Sequence, residues 1–304
     1  MQPLLDAISA VPLHPDAHRV FHGRGGLHPG CEHLALDCHP PVWLLTSFEP
    51  LADEALARVG SALAARVGAG LNWVYQCREQ ASEKGGRVQT RLMAGSVPEP
   101  QVVTEAGTRY LVHLLRGQNH GLFLDMAQGR RWVREHVAAG DRVLNLFAYT
   151  GAFSVVALQA GAAEVVNVDM SDGALAIARR NHALNGVERG ARFLAHDIFN
   201  SWGKLTRGGP YDLVICDPPS FQKGSFVATK DYARLARRLP ALLAPGGHAL
   251  LCLNTPKLGL GFLQGVMAEQ APELTFVERV ANPAAFADAD DERALKVLVY
   301  RAAT

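Results

Sequence analysis

Three aspartates each follow a short apolar run in the second half of the chain: Asp169, Asp197 and Asp217. When such runs form parallel strands, the residues that follow them meet at one edge of the sheet, where these sheets bind ligands. Asp169 could accept hydrogen bonds from both hydroxyls of a ribose, and Asp197 could face the amino group of an adenine. The arrangement therefore indicates a nucleoside ligand with a reactive group beside Asp217.

The motif DPPSF, residues 217–221, predicts a rigid turn that carries polar groups. Its two prolines fix the backbone and remove two donors, so we expect the Asp217 carboxylate and the Pro218 carbonyl to point into the crevice. These are the candidate catalytic groups, and a rigid turn without a chemical role is the alternative. Phe221 could contact the substrate or pack within its loop, and Gly224 could allow that loop to fold over the site.

The loop FAYTG, residues 147–151, follows the first of the apolar runs. A dinucleotide site would have G-x-G-x-x-G here, because glycines let the backbone approach a pyrophosphate. Gly151 is the single glycine of this loop, so a nicotinamide cofactor is disfavoured. A ligand without phosphates tolerates a turn with fewer glycines.

Apolar runs alternate with helical patterns from residue 119 onward, which indicates a parallel sheet covered on both faces. The last two strands have no long helix between them, so we expect an antiparallel edge hairpin. The predicted fold class is α/β with a doubly wound sheet. Strands are predicted at 141–147, 164–169, 191–195, 211–216, 246–253, 273–280 and 293–301. Helices are predicted at 126–138, 151–160, 172–184, 198–205, 228–243 and 259–269.

Residues 1–118 are predicted to form a separate, small, β-rich α+β domain, because short alternating runs surround one helical pattern. Residues 105–108, Glu-Ala-Gly-Thr, resemble a hairpin turn. The polar, glycine-rich stretch 80–86 is expected to be mobile. Two half-buried strands are predicted within 33–49, separated by Pro40-Pro41. The helix is predicted at 50–67, and further strands at 71–79, 87–94, 102–107 and 109–115.

The composition describes a folded chain of about two domains, because 48% of the 304 residues are hydrophobic and 19% are charged. The net charge of +1 excludes a strongly basic protein that coats nucleic acid, but not a local basic patch. The five cysteines form no CxxC pair, so reduced thiols and a cytoplasmic location are expected. The sequence has neither an apolar run long enough to span a membrane nor a recognisable signal peptide.

Two other clusters of polar residues could bind ligands. Half of the 12 histidines lie within 14–39, near Cys31 and Cys38, but no pair has a zinc-ligand spacing, so no metal is expected. The basic residues could contact phosphates or simply form solvated helix faces. They are Arg130, Arg131, Arg134, Lys230, Arg234, Arg237 and Arg238.

The motifs LNLFAYTG, VVNVDMS and DPPSF, in this order, resemble the catalytic domain of the bacterial 23S rRNA large-subunit base methyltransferases. These are class I enzymes that use S-adenosylmethionine (SAM), and the resemblance implies a Rossmann-like sheet. GLFLD at 121–125 and NHALNG at 181–186 also look like that group. The resemblance covers roughly 105–260, with a weaker match over 20–45 through FHGRGG and Pro29-Gly30.

The resemblance implies roles for individual residues. Asp169 would hold the ribose of SAM and Asp197 the adenine amine, whereas Asp217 and Pro218 would face the methyl group and the substrate. From the residues alone, Asp169 could instead be an acidic residue at a helix start, and Asp197 a helix cap. The residues that would hold the methionine part of SAM are Asn145, Phe147, Tyr149 and Gly151.

The aromatic residues near these motifs have two interpretations. Tyr149 and Phe221 are candidates to stack on a base flipped out of its helix. Phe147 and Phe153 could be core residues instead of ligand contacts.

The sequence departs from the group at two places. After GLFLD the relatives usually have a polar residue and then Arg, where this chain has Met126 and Ala127, which weakens any arginine contact with SAM there. Cytosine-C5 members have a Cys at the end of the fifth strand, where this chain has Asn254. Asn254 is therefore a candidate substrate contact, and direct in-line transfer to a guanine or other nitrogen is favoured over a thiolate mechanism. Cys252 would lie about 7 Å deeper on the same face, and Cys216 within a buried strand, so both are expected to be inert.

Three functions remain open from the sequence. The favoured one is a SAM-dependent methyltransferase acting on a base of 23S rRNA, with residues 119–304 as the catalytic domain and 1–118 helping to bind RNA. The second is a SAM-dependent methyltransferase for a protein side chain or small molecule, and the third a module that binds SAM without turnover. RNA is the expected partner, a homodimer is left open, and no membrane or metal is expected.

Overall fold

A computed structural model describes residues 1–78, 88–219, 221–222 and 226–304. Two compact units account for these residues, unit 1 (Met1–Leu124 and Pro283–Asp291) and unit 2 (Asp125–Asn282 and Glu292–Thr304). The predicted mobile stretch 80–86, the hinge at Gly224 and the side chain of Phe221 lie outside the described residues.

Unit 1 contains a five-stranded sheet and a separate hairpin. Its helices are α1 (Gln2–Ala10) and α2 (Asp53–Val67), with short 3-10 helices at Gly23–Gly25 and Ala284–Phe286. Its strands are β1 (His18–His22), β2 (Leu34–His39), β3 (Val42–Ser47), β4 (Asn72–Arg78), β5 (Val88–Ala94), β6 (Gln101–Glu105) and β7 (Thr108–Val112). The sheet order is β1-β2-β3-β4-β5, with β3 and β4 parallel and the other pairs antiparallel.

The predicted hairpin turn is present between β6 and β7. Glu105 pairs with Thr108, and Ala106 and Gly107 have φ values of 47° and 80°. Two successive residues with positive φ match the right-handed twist of the strands in a two-residue hairpin.

Strands β2 and β3 are buried on both faces, not on one as the alternation predicted. Leu34 and Leu36 belong to a hydrophobic cluster with residues of α1 and α2, as the alternation requires. The opposite face is also covered, and it carries a polar layer that includes Asp37, His39 and Gln76. Asp37 accepts a hydrogen bond from Arg19, and Gln76 donates one to Thr90, so these polar residues are buried although the alternation of residue type did not reveal it.

Segment 283–291 belongs to unit 1 although it lies between two strands of unit 2. The Arg19 guanidinium lies 4.4 Å from the centre of the Phe286 ring, and the Ala289 amide donates to the Gly25 carbonyl at 2.7 Å. Unit 1 also extends to Leu124, beyond the division at 118 that the sequence indicated, because Gln76 contacts His120 at 3.2 Å.

Unit 2 contains a seven-stranded sheet in the order β10-β9-β8-β11-β14-β16-β15. The strands of this sheet are β8 (Arg142–Leu146), β9 (Glu164–Asp169), β10 (Ala191–Ala195), β11 (Tyr211–Cys216), β14 (Leu243–Leu253), β15 (Thr275–Arg279) and β16 (Lys296–Arg301), and a separate pair is formed by β12 (Phe221–Gln222) and β13 (Phe226–Val227). Its helices are α3 (Ala127–His136), α4 (Ala152–Ala160), α5 (Asp172–Leu184), α6 (Trp202–Gly208), α7 (Ala228–Ala236), α8 (Leu239–Leu242) and α9 (Leu260–Gln270), with a 3-10 helix at Ile198–Asn200.

The predicted doubly wound sheet with an antiparallel edge is confirmed. Strands β10, β9, β8, β11 and β14 are parallel, and β16 runs antiparallel between β14 and β15. Leu213 and Ile215 of β11 face one hydrophobic cluster, and Val214 and Cys216 face another. Burial on both faces explains why β11 is a continuous apolar run in the sequence. The strand order reverses between β8 and β11, so ligands are expected at the carboxyl ends of these strands.

No helix within the described ranges is long and apolar enough to cross a membrane. All five cysteines are free and buried. The described residues contain no group of three or more His, Cys, Asp or Glu side chains that could hold a metal ion.

Candidate active site

The loop between β8 and α4 has an unusual backbone. Phe147, Tyr149 and Gly151 have φ values of 58°, 49° and 72°. Left-handed non-glycine residues are uncommon, and they persist only where the surroundings hold them, often at functional sites. Contacts from neighbouring elements must therefore hold this loop in place.

Asp169, at the end of β9, ties the loop to the next strand. Its Oδ2 accepts a hydrogen bond from the Tyr149 amide at 2.8 Å, and its Oδ1 accepts from the Ser171 amide at 2.8 Å. The Ser171 hydroxyl caps α5 by accepting from the Ala174 amide at 3.1 Å, so Asp169 is not the capping residue. Each oxygen of an ionised carboxylate can accept a further hydrogen bond, which leaves Asp169 able to receive ligand hydroxyls.

A chain of buried hydrogen bonds lies beneath the loop. The Asn145 amide donates to Asn167 at 3.0 Å, and the Asn167 amide donates to the Ser154 hydroxyl at 2.9 Å. His182 Nδ1 lies 2.7 Å from the Ala178 carbonyl and must donate to it, so Nε2 accepts from Ser154 at 2.8 Å. Burial lowers the pKa of His182, which keeps it neutral in this network. The Asn145 side chain is only 1% exposed, so in this structure it serves the network.

Helix α5 also fixes the loop directly. The Asn181 side-chain amide donates to the Thr150 carbonyl at 2.9 Å. A Cβ at Gly151 would lie 3.0 Å from Ala178 Cβ and 3.1 Å from His182 Cε1. The motif NHALNG thus supplies contacts that hold the loop, a function that its residue types alone did not indicate.

Substituting Gly151 by alanine is expected to lower the free energy of unfolding by about 1–3 kcal/mol and to weaken nucleoside binding at this edge. The substitution strains the backbone, because φ is 72° at this position. It also adds a close contact with α5, and that helix would have to shift to relieve it. Gly186→Ala is the matched control, because Gly186 has a φ of 67° but nothing within 4 Å of the added Cβ. Thermal unfolding and calorimetric titration with SAM measure both effects. Equal losses in the two variants would show that contact with α5 is unimportant.

Asp197 caps a short 3-10 helix. Its Oδ1 accepts from the Phe199 amide at 2.8 Å, and its Oδ2 accepts from the Asn200 side chain at 2.6 Å. Asp197 therefore acts as a helix cap, which was the alternative role considered for it. A contact with adenine would be a second role of the same carboxylate. The helix predicted at 198–205 is divided into the 3-10 helix Ile198–Asn200 and α6.

Asp217 lies half-buried at the end of β11 and has an unusual acidity. Burial and the nearby Asp125 carboxylate raise the pKa of Asp217 to about 7, against the opposing influence of Arg130 and a hydrogen bond from the Cys252 thiol. Carboxyl groups with a pKa this close to neutrality occur often at catalytic sites. Asp217 can therefore change protonation near neutral pH.

Arg130 and Asp125 are site neighbours that the sequence analysis missed. Arg130 is only 3% exposed and was wrongly grouped with residues of a phosphate-binding or solvated face. Asp125 accepts a hydrogen bond from the Asn254 side chain at 3.4 Å. The motif GLFLD, which ends at Asp125, was the signal available for it.

The thiols near Asp217 are buried and neutral. Cys252 is fully buried, and burial together with the Asp217 charge raises the pKa of its thiol well above the usual value. Burial likewise raises the pKa of Cys216. Neither residue is poised to form a thiolate nucleophile, in agreement with the interpretation of the sequence.

Asn254 is exposed at the end of β14, and a buried lysine holds the segment that follows it. Lys296 is fully buried and donates to the carbonyls of Thr255 at 3.0 Å and Leu258 at 2.7 Å. An ammonium group is expensive to bury without partners, so these bonds fix the backbone behind Asn254. This role could not be predicted from the residue types, because Lys296 stands in an apolar strand and the carbonyls that it binds lie far away in the chain.

The aromatic candidates have different surroundings. Phe147 is partly buried, 5.4 Å from Phe226 in an edge-to-face arrangement, and Phe153 is a core residue. Tyr149 is half-buried, and Pro218 is buried. Met170, which follows Asp169 in the chain, is 51% exposed.

Comparison with known proteins identifies the family of this chain and its cofactor class. The family model of S-adenosylmethionine-dependent methyltransferases matches residues 18–301. Ribosomal RNA large subunit methyltransferase I of Aeromonas salmonicida is 35% identical over 209 residues, which cover 65% of this chain and 52% of the relative. A ribosomal RNA large subunit methyltransferase of Deinococcus radiodurans is 34% identical over 245 residues, 76% of this chain and 58% of the relative. The chain spans about half the length of the curated relatives it matches.

Solved structures share the fold. The crystal structure of SMU.776 complexed with SAH has a TM-score of 0.85 and 23% identity, covering 99% of this chain and 81% of that chain. The match supports the architecture described above, and the family model supports the cofactor class that the motifs indicated. The chain belongs to the S-adenosylmethionine-dependent methyltransferase family.

Proposed function

We propose that this protein methylates a base of 23S rRNA, and that the acceptor is a nitrogen atom, with guanine favoured. The RNA substrate is supported by the relatives that are named as large-subunit rRNA methyltransferases. The choice of a nitrogen acceptor is carried by one observation at the end of β14. Asn254 is exposed there, whereas the thiol of Cys252, two residues earlier, is fully buried. A cytosine-C5 mechanism requires an accessible thiolate that adds to the ring.

The edge of the sheet offers contacts for each part of SAM. Asp169 would accept hydrogen bonds from the ribose hydroxyls while its present bonds hold the loop. Asp197 would receive the adenine amine, beside the apolar surface of Met170. The residues that would surround the methionine part are Asn145, Phe147, Tyr149 and Gly151, with Asn145 acting through the buried network beneath them.

The proposed catalytic groups position the acceptor nitrogen. SAM supplies the electrophilic methyl group when it is bound. The Asp217 carboxylate and the Pro218 carbonyl would accept hydrogen bonds from an exocyclic amine and aim its lone pair at the methyl carbon. S-adenosylhomocysteine would be the leaving group, and Asp217 would accept the proton that the nitrogen loses. A ring nitrogen such as guanine N7 already has a free lone pair, and Asp217 would then orient the base without accepting a proton. Phe221 and Asn254 would contact the flipped base.

RNA is the proposed partner, and the cytoplasm is the proposed location because the described cysteines are free and the substrate is ribosomal. Unit 1 would help to bind the RNA. A homodimer is a further proposal, since β15 is an edge strand with exposed Phe276 and Val277.

The second candidate is transfer to a protein side chain or small molecule. The near-zero net charge of +1 favours it, because RNA-binding proteins are commonly basic. This candidate uses the same SAM site and the same Asp217, but it needs no RNA contact in unit 1.

Transfer of a labelled methyl group from SAM distinguishes the two functions. The acceptors are naked 23S and 16S RNA, whole subunits and a protein extract, all from cells that lack this gene. Label in 23S RNA is expected, and nuclease digestion with mass analysis would identify the base. Label confined to protein or small molecules would contradict the rRNA proposal. A covalent adduct trapped with 5-fluorocytidine RNA would contradict the nitrogen acceptor.

A further inference from the structure

The motif FHGRGG forms a turn that presents one arginine. Gly23 and Gly25 flank Arg24 in a 3-10 helix at the end of β1. A Cβ at Gly23 would overlap the Cys31 carbonyl oxygen, and one at Gly25 would overlap the carbonyl oxygen of Ala287. Both positions therefore require glycine for packing. The backbone on either side of Arg24 is fixed, while the side chain between them is partly buried and still reaches solvent.

Arg24 rests on an aromatic platform. Its guanidinium carbon lies 4.1 Å from the centre of the Phe48 ring. Stacking on a ring orients the plane of the guanidinium and leaves its edge N–H donors free to bind an oxyanion. No ion pair within 4.0 Å joins Arg24 to a carboxylate among the described residues.

Two further arginines belong to this part of unit 1. Arg78 follows Cys77, which pairs with Ser47 in the parallel β3–β4 ladder, so Arg78 stands beside Phe48 on the neighbouring strand. Arg19 forms two hydrogen bonds with Asp37, at 2.5 and 3.3 Å, and the pair is neutral. Arg78 has no such carboxylate partner in the part of unit 1 that the structure describes. Its Nε donates at 2.5 Å to Gln76, which is fully buried and itself donates to the Gly117 carbonyl at 3.0 Å.

Among the described residues, the three arginines outnumber the two carboxylates that act on them, Asp37 and Asp288. Burial and Arg19 lower the pKa of Arg24, although Asp288 partly opposes them. Burial lowers the pKa of Arg78 to about 10, with Arg24 and Arg19 adding to the effect and Asp37 opposing it. Each guanidinium is thus destabilised by its neighbours, and a bound anion would relieve that repulsion.

We propose that Arg24, held on Phe48, and Arg78 form a binding site in unit 1 for a phosphate group of the RNA backbone. The inference rests on the proposed RNA substrate. A chain with a net charge of +1 has no general attraction for RNA, so its contacts must come from local clusters of this kind. The planar, bidentate donors of arginine suit a phosphate better than a single ammonium would.

Salt-dependent RNA binding tests the site. The probes are fluorescently labelled fragments of 23S rRNA, and the variants are Arg24→Gln and Arg78→Gln. Each variant is expected to bind about five times more weakly, and the slope of log affinity against log salt should fall by about one per lost phosphate contact. Arg58→Gln is the matched control, because Arg58 is exposed on α2 of the same unit and α2 packs on the other face of the sheet.

Two substitutions separate charge from geometry. Phe48→Leu keeps every charge but removes the platform, so it should weaken binding and leave the salt slope unchanged. Arg24→Lys keeps the charge but not the planar fork, and it should give an intermediate affinity. Unchanged thermal unfolding is required of each variant for these comparisons, and Arg24→Lys is the one expected to disturb folding least.

The outcomes distinguish this inference from the proposed function. Wild-type affinity and slope in both glutamine variants, with methyl transfer to RNA intact, would overturn the phosphate site alone. An equal loss in Arg58→Gln would overturn it too, since it would show a general effect of charge. Absence of both RNA binding and RNA methylation by the wild type would overturn the function and the site together.

Discussion

An Asp217→Asn variant is expected to lose methyl transfer by about 10²–10⁴-fold and yet to be more stable than the wild type. Loss of activity follows from the proposed role, because the amide presents one oxygen where the carboxylate presents two and cannot orient an amine in the same way. Affinity for SAM should change little, since Asp217 is proposed to act on the acceptor. Activity and SAM binding are therefore measured on the same preparations.

The gain in stability follows from the raised pKa of Asp217, which burial and Asp125 place at about 7. An unfolded chain releases this proton near an ordinary aspartate pKa, so the folded state binds more protons between the two values. Stability is then highest below the unfolded pKa and is lost as pH rises through about 7. Removing the charge should recover about 1–3 kcal/mol at about pH 8. Urea unfolding of both proteins measures the difference.

The pH dependence of activity gives an independent check. If the ionised carboxylate accepts a hydrogen bond from the acceptor amine, wild-type activity should fall as pH decreases through about 7. The residual activity of Asp217→Asn should lack that step. Asp212→Asn, at the amino end of the same strand, is the control, because Asp212 accepts a structural hydrogen bond from the Arg142 amide at 2.8 Å. It should keep activity and lose stability, and the reverse pattern would contradict the role given to Asp217.

Replacement of Asp169 by alanine is expected to weaken SAM binding by about 100-fold. The variant loses the proposed acceptors for two ribose hydroxyls and also the bond that holds the Tyr149 amide. Because Tyr149 has a φ of 49°, the released loop can relax away from the conformation that binds the ligand. Calorimetric titration with SAM measures the affinity directly, without any need for the RNA substrate.

Ser171→Ala separates ligand binding from helix stability. Ser171 caps α5, so this control should lower the free energy of unfolding by about 1 kcal/mol and leave SAM affinity nearly unchanged. Comparable losses of SAM affinity in the two variants would show that Asp169 acts only by supporting the start of α5. Unaltered affinity in Asp169→Ala would remove it from the proposed cofactor site.

The sheet of unit 2 was largely predictable, because burial on both faces leaves continuous apolar runs and parallel strands end in polar residues. The strands predicted at 164–169, 191–195 and 211–216 have the same bounds in the structure. In unit 1, α1 and β1 carried no clear periodic signal. The local spacing of apolar residues indicates whether a segment is a helix or a strand, but it does not show which distant residues pack against that segment.

The parts of the site that were missed depend on such neighbours. Arg130 stands on a helix with other basic residues and has the sequence context of a solvated face, but it is buried where it influences Asp217. Lys296 stands in an apolar strand and has its charge satisfied by two carbonyls about 40 positions earlier in the chain. In both cases the buried charge is stabilised by polar groups of residues that are distant in the sequence.

The return of segment 283–291 to unit 1 limits how this protein can be recombined. A gene fragment that encodes 1–124 omits Phe286, on which Arg19 stacks, and Ala289, which donates to Gly25. If residues 1–124 were exchanged between two related proteins, unit 1 of the chimera would therefore combine this segment from one protein with segment 283–291 from the other. A chimera retains a matched unit 1 only when both stretches of sequence are transferred together.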